Sequence, residues 1–224
     1  MARVLVGIPS IRQDQDLINS MKEFIPLLGK EPEVEVLIVR NKNVDEARII
    51  IVDYLIEKGY EYLLFLDDDH SGHTMDMFNA MLNTKSYVSA IKCYRKGFPY
   101  IPNLLDYSGQ TEERVKYKVK DIDEGIHFCD LVGFGMTLIK ASVFDLIDKP
   151  YFVADNNGRE DNYFCDKLVK IGIRPIGIFD YCLPHQGIDQ EKAKELERQE
   201  IEKIIREIKS KEPDKDITNL VLIG

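Results

Sequence analysis

The chain contains no tryptophan, and its four cysteines (Cys93, Cys129, Cys165 and Cys182) are scattered without a CxxC pair. That spacing excludes a zinc-finger ligand set or a disulfide framework, and predicts buried, reduced thiols. No apolar run approaches the roughly 20 residues needed to cross a bilayer, so no transmembrane segment is expected. The opening MARVLVGIPS turns after one short apolar run, so no secretory leader is expected either. Positive charge is in deficit: 30 Lys and Arg against 39 Asp and Glu leave a formal charge of −9. A phosphate backbone needs a basic surface, so nucleic acid is excluded as the main partner. The Gly-rich nucleotide fingerprints GxGxxG and GxxxxGKS/T are also missing. These absences together predict a cytoplasmic protein that binds any nucleotide by another route.

What is present is enough for a folded domain: 224 residues, 44% hydrophobic and 31% charged. Short apolar runs at 3–8, 34–39, 60–66 and 87–91 predict buried strands. Between them lie helical patterns. Leu17, Ile18, Met21, Phe24, Ile25 and Leu28 share one face. Asn43 stands before Ala47, Ile50, Ile51, Tyr54 and Leu55, and Gly59 ends that pattern. Thr74 opens a third helix, with Met77, Phe78, Met81 and Leu82 inward. This alternation predicts an α/β fold, a mostly parallel sheet flanked by helices.

From about residue 94 the pattern breaks into short strands at 100–105, 115–119 and 126–131. A loop through Gly133 and Gly135 and a helix at 141–147 follow. A helix over 160–171, a strand over 174–181 and a loop with Pro184-His185 complete the domain, taken as 1–188. The remainder, 189–224, is a C-terminal extension. Its stretch 190–211 carries Leu196, Ile201, Ile204, Ile205 and Ile208 on one stripe and predicts an amphipathic helix, packed on the domain or on a second copy in a homodimer.

The segment FLDDDH at 65–70 is the most informative. A buried strand ends by delivering Asp67, Asp68 and Asp69 to one sheet edge, where ligands of open α/β sheets bind. Clustered carboxylates repel one another, and a hard divalent cation that also holds phosphates compensates them. The plainer reading is a solvated acidic turn. His70 and His73, beside the aspartates, offer an alternative metal set.

Several pieces in order resemble the GT-A glycosyltransferases of the inverting family 2 type. These are a first strand ending Ile8-Pro9-Ser10, a helix with Asp45-Glu46-Ala47-Arg48, FLDDDH in place of a DxD motif, and VSAIKCYRKG after it. DLVGFGMTLIKASVFDLI with Pro150-Tyr151, EDNYFCDKLVKIG and a late PHQ then follow. Together they span roughly residues 3–187. The resemblance implies a GT-A (Rossmann-like) fold and a hexosyltransferase using a nucleoside diphosphate sugar. It implies metal ligation by Asp67, Asp69 and His185, with Mn2+ preferred over Mg2+, and Asp161 as general base. It assigns Pro9, Ser10, Arg48, Asp67 and Asp68 to the nucleotide sugar, with Arg48 otherwise pairing with a surface acid. Gly133, Gly135 and Glu160 fall on the side of an unknown glycan, lipid or protein acceptor. The absence of tryptophan and of membrane spans departs from the processive synthases of that family. Two other functions stay open at this stage: a nucleotidyltransferase acting on a sugar phosphate, and a non-catalytic nucleotide-sugar-binding protein.

Overall fold

The computed structural model describes residues 3–10, 21–28, 33–94, 102–110, 115–119, 122, 124–154, 159–185 and single positions between 191 and 210. Its first half alternates as the sequence predicts: β1 (Val4–Ser10), α1 (Met21–Leu28), β2 (Val34–Arg40), α2 (Val44–Lys58), β3 (Tyr62–Leu66), α3 (Met75–Asn83) and β4 (Val88–Cys93). Then come β5 (Leu104–Gln110), β6 (Val115–Val119), β7 (Ile126–Phe128), β8 (Leu131–Val132) and β9 (Met136–Lys140). A 3-10 turn (Ala141–Asp145), α4 (Glu160–Lys170) and β10 (Ile176–Leu183) follow.

A seven-stranded sheet runs in the order β2-β1-β3-β9-β4-β10-β7, and β6-β5-β8 form a smaller one. β1 pairs in parallel with β2 and β3, and β4 with β10. β9 is antiparallel to both of its neighbours, which makes β3 and β4 parallel to each other. The sheet is therefore largely parallel and flanked by helices, in a Rossmann-like arrangement. β1 and β4 are buried along their whole length, as strands covered on both faces must be. Apolar clusters fill the two faces, one around Leu55, Phe65, Phe134 and Phe164, the other around Val6, Phe24, Met81 and Ile91.

Local chemistry sets the element ends. Gly59 closes α2 at φ +67, a left-handed conformation that glycine adopts without a Cβ clash. Thr74 caps α3, its side chain accepting from the Met77 N–H at 3.3 Å. Asn43 precedes α2, but its side chain makes no cap bond.

Four expectations are corrected. Residues 136–140 form β9, inserted between β3 and β4, where a loop was predicted, and Ala141–Asp145 is one 3-10 turn rather than a helix. Five residues carry too little periodicity to separate strand from loop, and only the gap between two finished strands decides it. Of the strand expected at 100–105, β5 takes in Leu104 and Leu105, and residues 100 and 101 lie outside the described residues. On α2 the inner face is Ala47, Arg48, Ile51, Val52 and Leu55, while Ile50 is exposed. Arg48 turns inward because carboxylates await it there. The described positions between 191 and 210 are helical. The packing of the predicted amphipathic helix, residues 11–20 and residues 211–224 lie outside the described residues.

Candidate functional site

Parallel strands β1, β3, β4 and β10 end on one edge of the sheet, so the residues that follow them converge. Three consecutive aspartates leave β3 there, and each is held by a different element. The Asp67 carboxylate accepts from Arg48 Nη2 at 2.7 Å, and its backbone N–H donates to the Gly135 carbonyl at 3.2 Å. Asp68 accepts from the Ser10 hydroxyl at 3.0 Å, which ties it to the end of β1. Asp69 lies between two imidazoles, 2.9 Å from His185 Nε2 and 3.1 Å from His70 Nδ1.

The two imidazoles are stacked, with ring centroids 4.4 Å apart and planes 9° from parallel. Their backbones form a bridge, and the Ser71 N–H donates to the Pro184 carbonyl at 2.9 Å. His185 Nδ1 sits 3.1 Å from the Tyr94 carbonyl, which can only accept, so that nitrogen carries the proton and Nε2 is turned to Asp69. Gly135 makes room for this packing, since a Cβ there would stand 2.6 Å from His70 Nε2.

The electrostatics follow the geometry. Burial would raise the Asp69 carboxyl, but the hydrogen bonds of His185 and His70 outweigh it and hold the group well below the usual carboxylate range. Burial likewise opposes a charged His185, and the Asp69 carboxylate overcomes that, so its net direction is upward. His73, stacked on Phe24 at 5.7 Å, is pushed down to about 4 by burial and then by His70.

Behind the aspartates lies Arg48, 2% exposed. Its Nε donates to Glu160 at 2.9 Å while Nη2 holds Asp67, and its guanidinium lies over the rings of Phe65 and Phe134. Burial alone would lower its proton affinity, and the two carboxylates reverse that. One buried cation thus joins the end of β3 to the first turn of α4. The acids that Arg48 meets lie at the end of β3 and inside the domain rather than at the surface, the alternative the sequence left for it. A guanidinium withdrawn from water requires such partners.

Glu160 and Asp161 open α4 and diverge, as adjacent helix residues must. Glu160 is buried against Arg48. Asp161 is partly exposed, and its Oδ1 accepts from the Asn162 N–H at 2.8 Å. Loss of solvent and then the charge of Glu160 push its carboxyl up to about 7. The buried Cys93 thiol at the end of β4 is raised by burial and then by the charges of Asp67, Cys182, Asp69 and Asp161.

Of the residues singled out in the sequence, the structure brings Asp69 and His185 together and adds His70, which the sequence offered only within an alternative set. The ligand atoms of these three lie within 4.8 Å of one another. One carboxylate and two imidazoles suit a borderline divalent ion, and the proton on His185 Nδ1, shared with a backbone carbonyl, leaves Nε2 as its ligand atom. The donor set therefore fits a metal. Asp67 faces Arg48 instead. Gly133 packs against Asn103, whose Nδ2 would stand 2.7 Å from a Cβ there. Sequence reasoning missed Asn103. Its side chain accepts from the Cys93 N–H at 2.8 Å, and a single asparagine in a loop carries no local signal of that bond.

No protein-family model and no curated protein matches the chain. Solved structures do. The crystal structure of A197 from STIV aligns with a TM-score of 0.56 at 23% identity, over 81% of this chain and 83% of that one. GalNAc-T7, a GT-A fold glycosyltransferase solved with UDP, GalNAc and Mn2+, aligns with a TM-score of 0.50 at 12% identity, over 82% of this chain. The match spans 44% of GalNAc-T7. At these identities the likeness is one of fold: the chain has a glycosyltransferase-like α/β architecture.

Proposed function

We propose that this protein is a metal-dependent GT-A glycosyltransferase that moves a hexose from a nucleoside diphosphate sugar to a hydroxyl acceptor with inversion. One observation carries the reading: Asp69, His70 and His185 offer a metal donor set at the carboxyl edge of a Rossmann-like sheet, where such folds bind nucleotides. The fold's likeness to a protein solved with UDP, GalNAc and Mn2+ supports the same donor class.

Asp69 and His185 hold the ion with His70 beside them, and two imidazoles favour Mn2+ over Mg2+. When bound, a divalent ion stabilises the negative charge that develops on the diphosphate leaving group. Asp161 takes the proton of the acceptor hydroxyl, and a carboxyl near 7 has the affinity such a base needs at neutral pH. Pro9, Ser10, Asp67 and Asp68 line the nucleotide side. Ser10 orients Asp68 and Arg48 orients Asp67. Gly133 and Gly135 stand on the acceptor side, toward a glycan, lipid or protein, and Glu160, buried against Arg48, supports that side from behind.

The test is a panel of nucleoside diphosphate sugars with Mn2+, read by thermal shift and slow donor hydrolysis. One donor should stabilise the protein only with metal. Asp69→Asn should abolish that stabilisation, and Asp161→Asn should abolish hydrolysis alone. Stabilisation by a nucleoside triphosphate, with pyrophosphate released from it in the presence of a sugar phosphate, would establish a nucleotidyltransferase instead. Donor binding with no hydrolysis in any variant would leave a binding protein.

A further inference from the structure

Among the described residues, β2 has a strand neighbour on one side only. It is the outer strand of the large sheet, seven residues long and without proline, glycine or lysine: Val34-Glu35-Val36-Leu37-Ile38-Val39-Arg40. Its register with β1 runs unbroken from Val34 to Arg40, so no bulge twists the edge away. Natural edges are normally blunted by one of these devices, because an open row of N–H and C=O groups recruits another strand.

The backbone shows which groups β1 does not use. The Glu33 carbonyl accepts from the Val4 N–H, and the Asn41 N–H donates to the Ser10 carbonyl. In a parallel ladder alternate residues bond to the same side. Odd-numbered residues of β2 therefore bond to β1, while Val34, Val36, Ile38 and Arg40 turn their N–H and C=O outward.

We infer that this edge pairs with β2 of a second copy of the chain, antiparallel about a two-fold axis at Leu37. A two-fold normal to the sheet keeps each face on its own side, so facing residues must have numbers of the same parity. Centring on Leu37 satisfies this. It also sets Val34 against Arg40 and Val36 against Ile38 of the second copy, so all four outward residues pair and each pair exchanges two hydrogen bonds. Ile38, 37% exposed at the middle of the strand, is covered by the apolar Val36.

The charges agree with this register, which sets no two like charges against each other: Glu33 faces Asn41, Glu35 faces Val39 and Arg40 faces Val34. In-register parallel pairing would set Glu35 against Glu35 and Arg40 against Arg40. The result is a continuous sheet through the dimer, a symmetric self-complementary contact.

The experiment is sedimentation velocity on the full chain at loadings on the order of 10–100 μM, above the roughly micromolar Kd of a small interface. Wild type should sediment at about twice 25.9 kDa. Ile38→Pro removes an outward N–H that β1 does not use, and Ile38→Lys places a charge at the centre of the seam. Both should sediment as monomers with the wild-type far-UV circular dichroism. Val34→Lys, which sets a second cation against Arg40, should weaken the dimer, and adding Arg40→Glu to it should restore the dimer. A monomeric wild type overturns the proposal. So does a dimer untouched by Ile38→Lys, which would place the contact on another surface such as the C-terminal extension.

Discussion

Arg48 reaches across 19 residues of sequence to hold the Asp67 carboxylate at 2.7 Å, and the same guanidinium holds Glu160, 112 residues away, at 2.9 Å. The first of the three aspartates is thereby bound to the protein interior, and Asp69 is left to the two imidazoles. The cation also fixes the first turn of α4, from which Asp161 projects.

Arg48→Met should destabilise the fold by about 3–5 kcal/mol, a fall in Tm of roughly 10 °C, because two carboxylates would share a buried site without a counter-charge. Adding Glu160→Gln should recover part of that loss. Arg48→Lys should fall between, keeping the charge but not the fork that spans both partners. Thermal unfolding by circular dichroism measures all three, and a loss under about 1 kcal/mol for Arg48→Met would mean the triad carries no net stability.

Mn2+ at about 100 times its Kd should stabilise the protein by about 2.7 kcal/mol, reversibly with a chelator. Asp69→Asn and His185→Ala should each abolish the response, while Ser10→Ala, which removes the hydroxyl bond to Asp68, should retain most of it. Differential scanning fluorimetry separates these. An undiminished shift in His185→Ala would remove that residue from the ligand set.

Asp161 predicts a pH signature. Its carboxyl lies near 7 in the folded protein against an ordinary 3.8, so the folded state binds the extra proton between those values. The stability it contributes is full below about pH 4 and lost as pH rises through 7. Asp161→Asn should match wild type at pH 4 and exceed it above pH 8 by about 1–2 kcal/mol, the full shift being discounted for partial exposure. Donor hydrolysis by wild type should rise through pH 7 over the same range. Denaturant titrations at several pH values test the first part, and a difference that does not change with pH would contradict it.

Gly135→Ala should cost about 1–3 kcal/mol and weaken metal binding, since its Cβ would stand 2.6 Å from His70 Nε2 and push the ring off its place. Gly172→Ala provides the contrast. Nothing lies within 4 Å of its Cβ, but φ is +80, so the cost is backbone strain of about 1 kcal/mol with metal binding intact. Equal metal affinity in both variants would show that His70 is not required at the site.

The first half of the fold was legible because each element announces itself locally. Tyr62–Leu66 is an unbroken apolar run, and Met77, Phe78 and Met81 recur at helical spacing behind a capping threonine. The site was legible as a location for the same reason, since a buried strand that ends in three aspartates can only deliver them to a sheet edge. β9 and Asn103 were not legible, because a five-residue strand and a loop amide are defined by partners distant in the chain.

The division between sequence and tertiary structure is clearest at residues 67–70. Their charge, their donor atoms and their position after a buried strand were settled by the order of amino acids alone, because strand burial and carboxylate repulsion act over a few residues. Which aspartate meets which partner was decided only when β1, α2, β4 and β10 came together. Arg48 then took Asp67, Ser10 took Asp68, and His70 with His185 took Asp69. Partner choice among three adjacent, chemically identical carboxylates depends on distances of a few ångströms between segments far apart in the chain, and no local pattern encodes those distances.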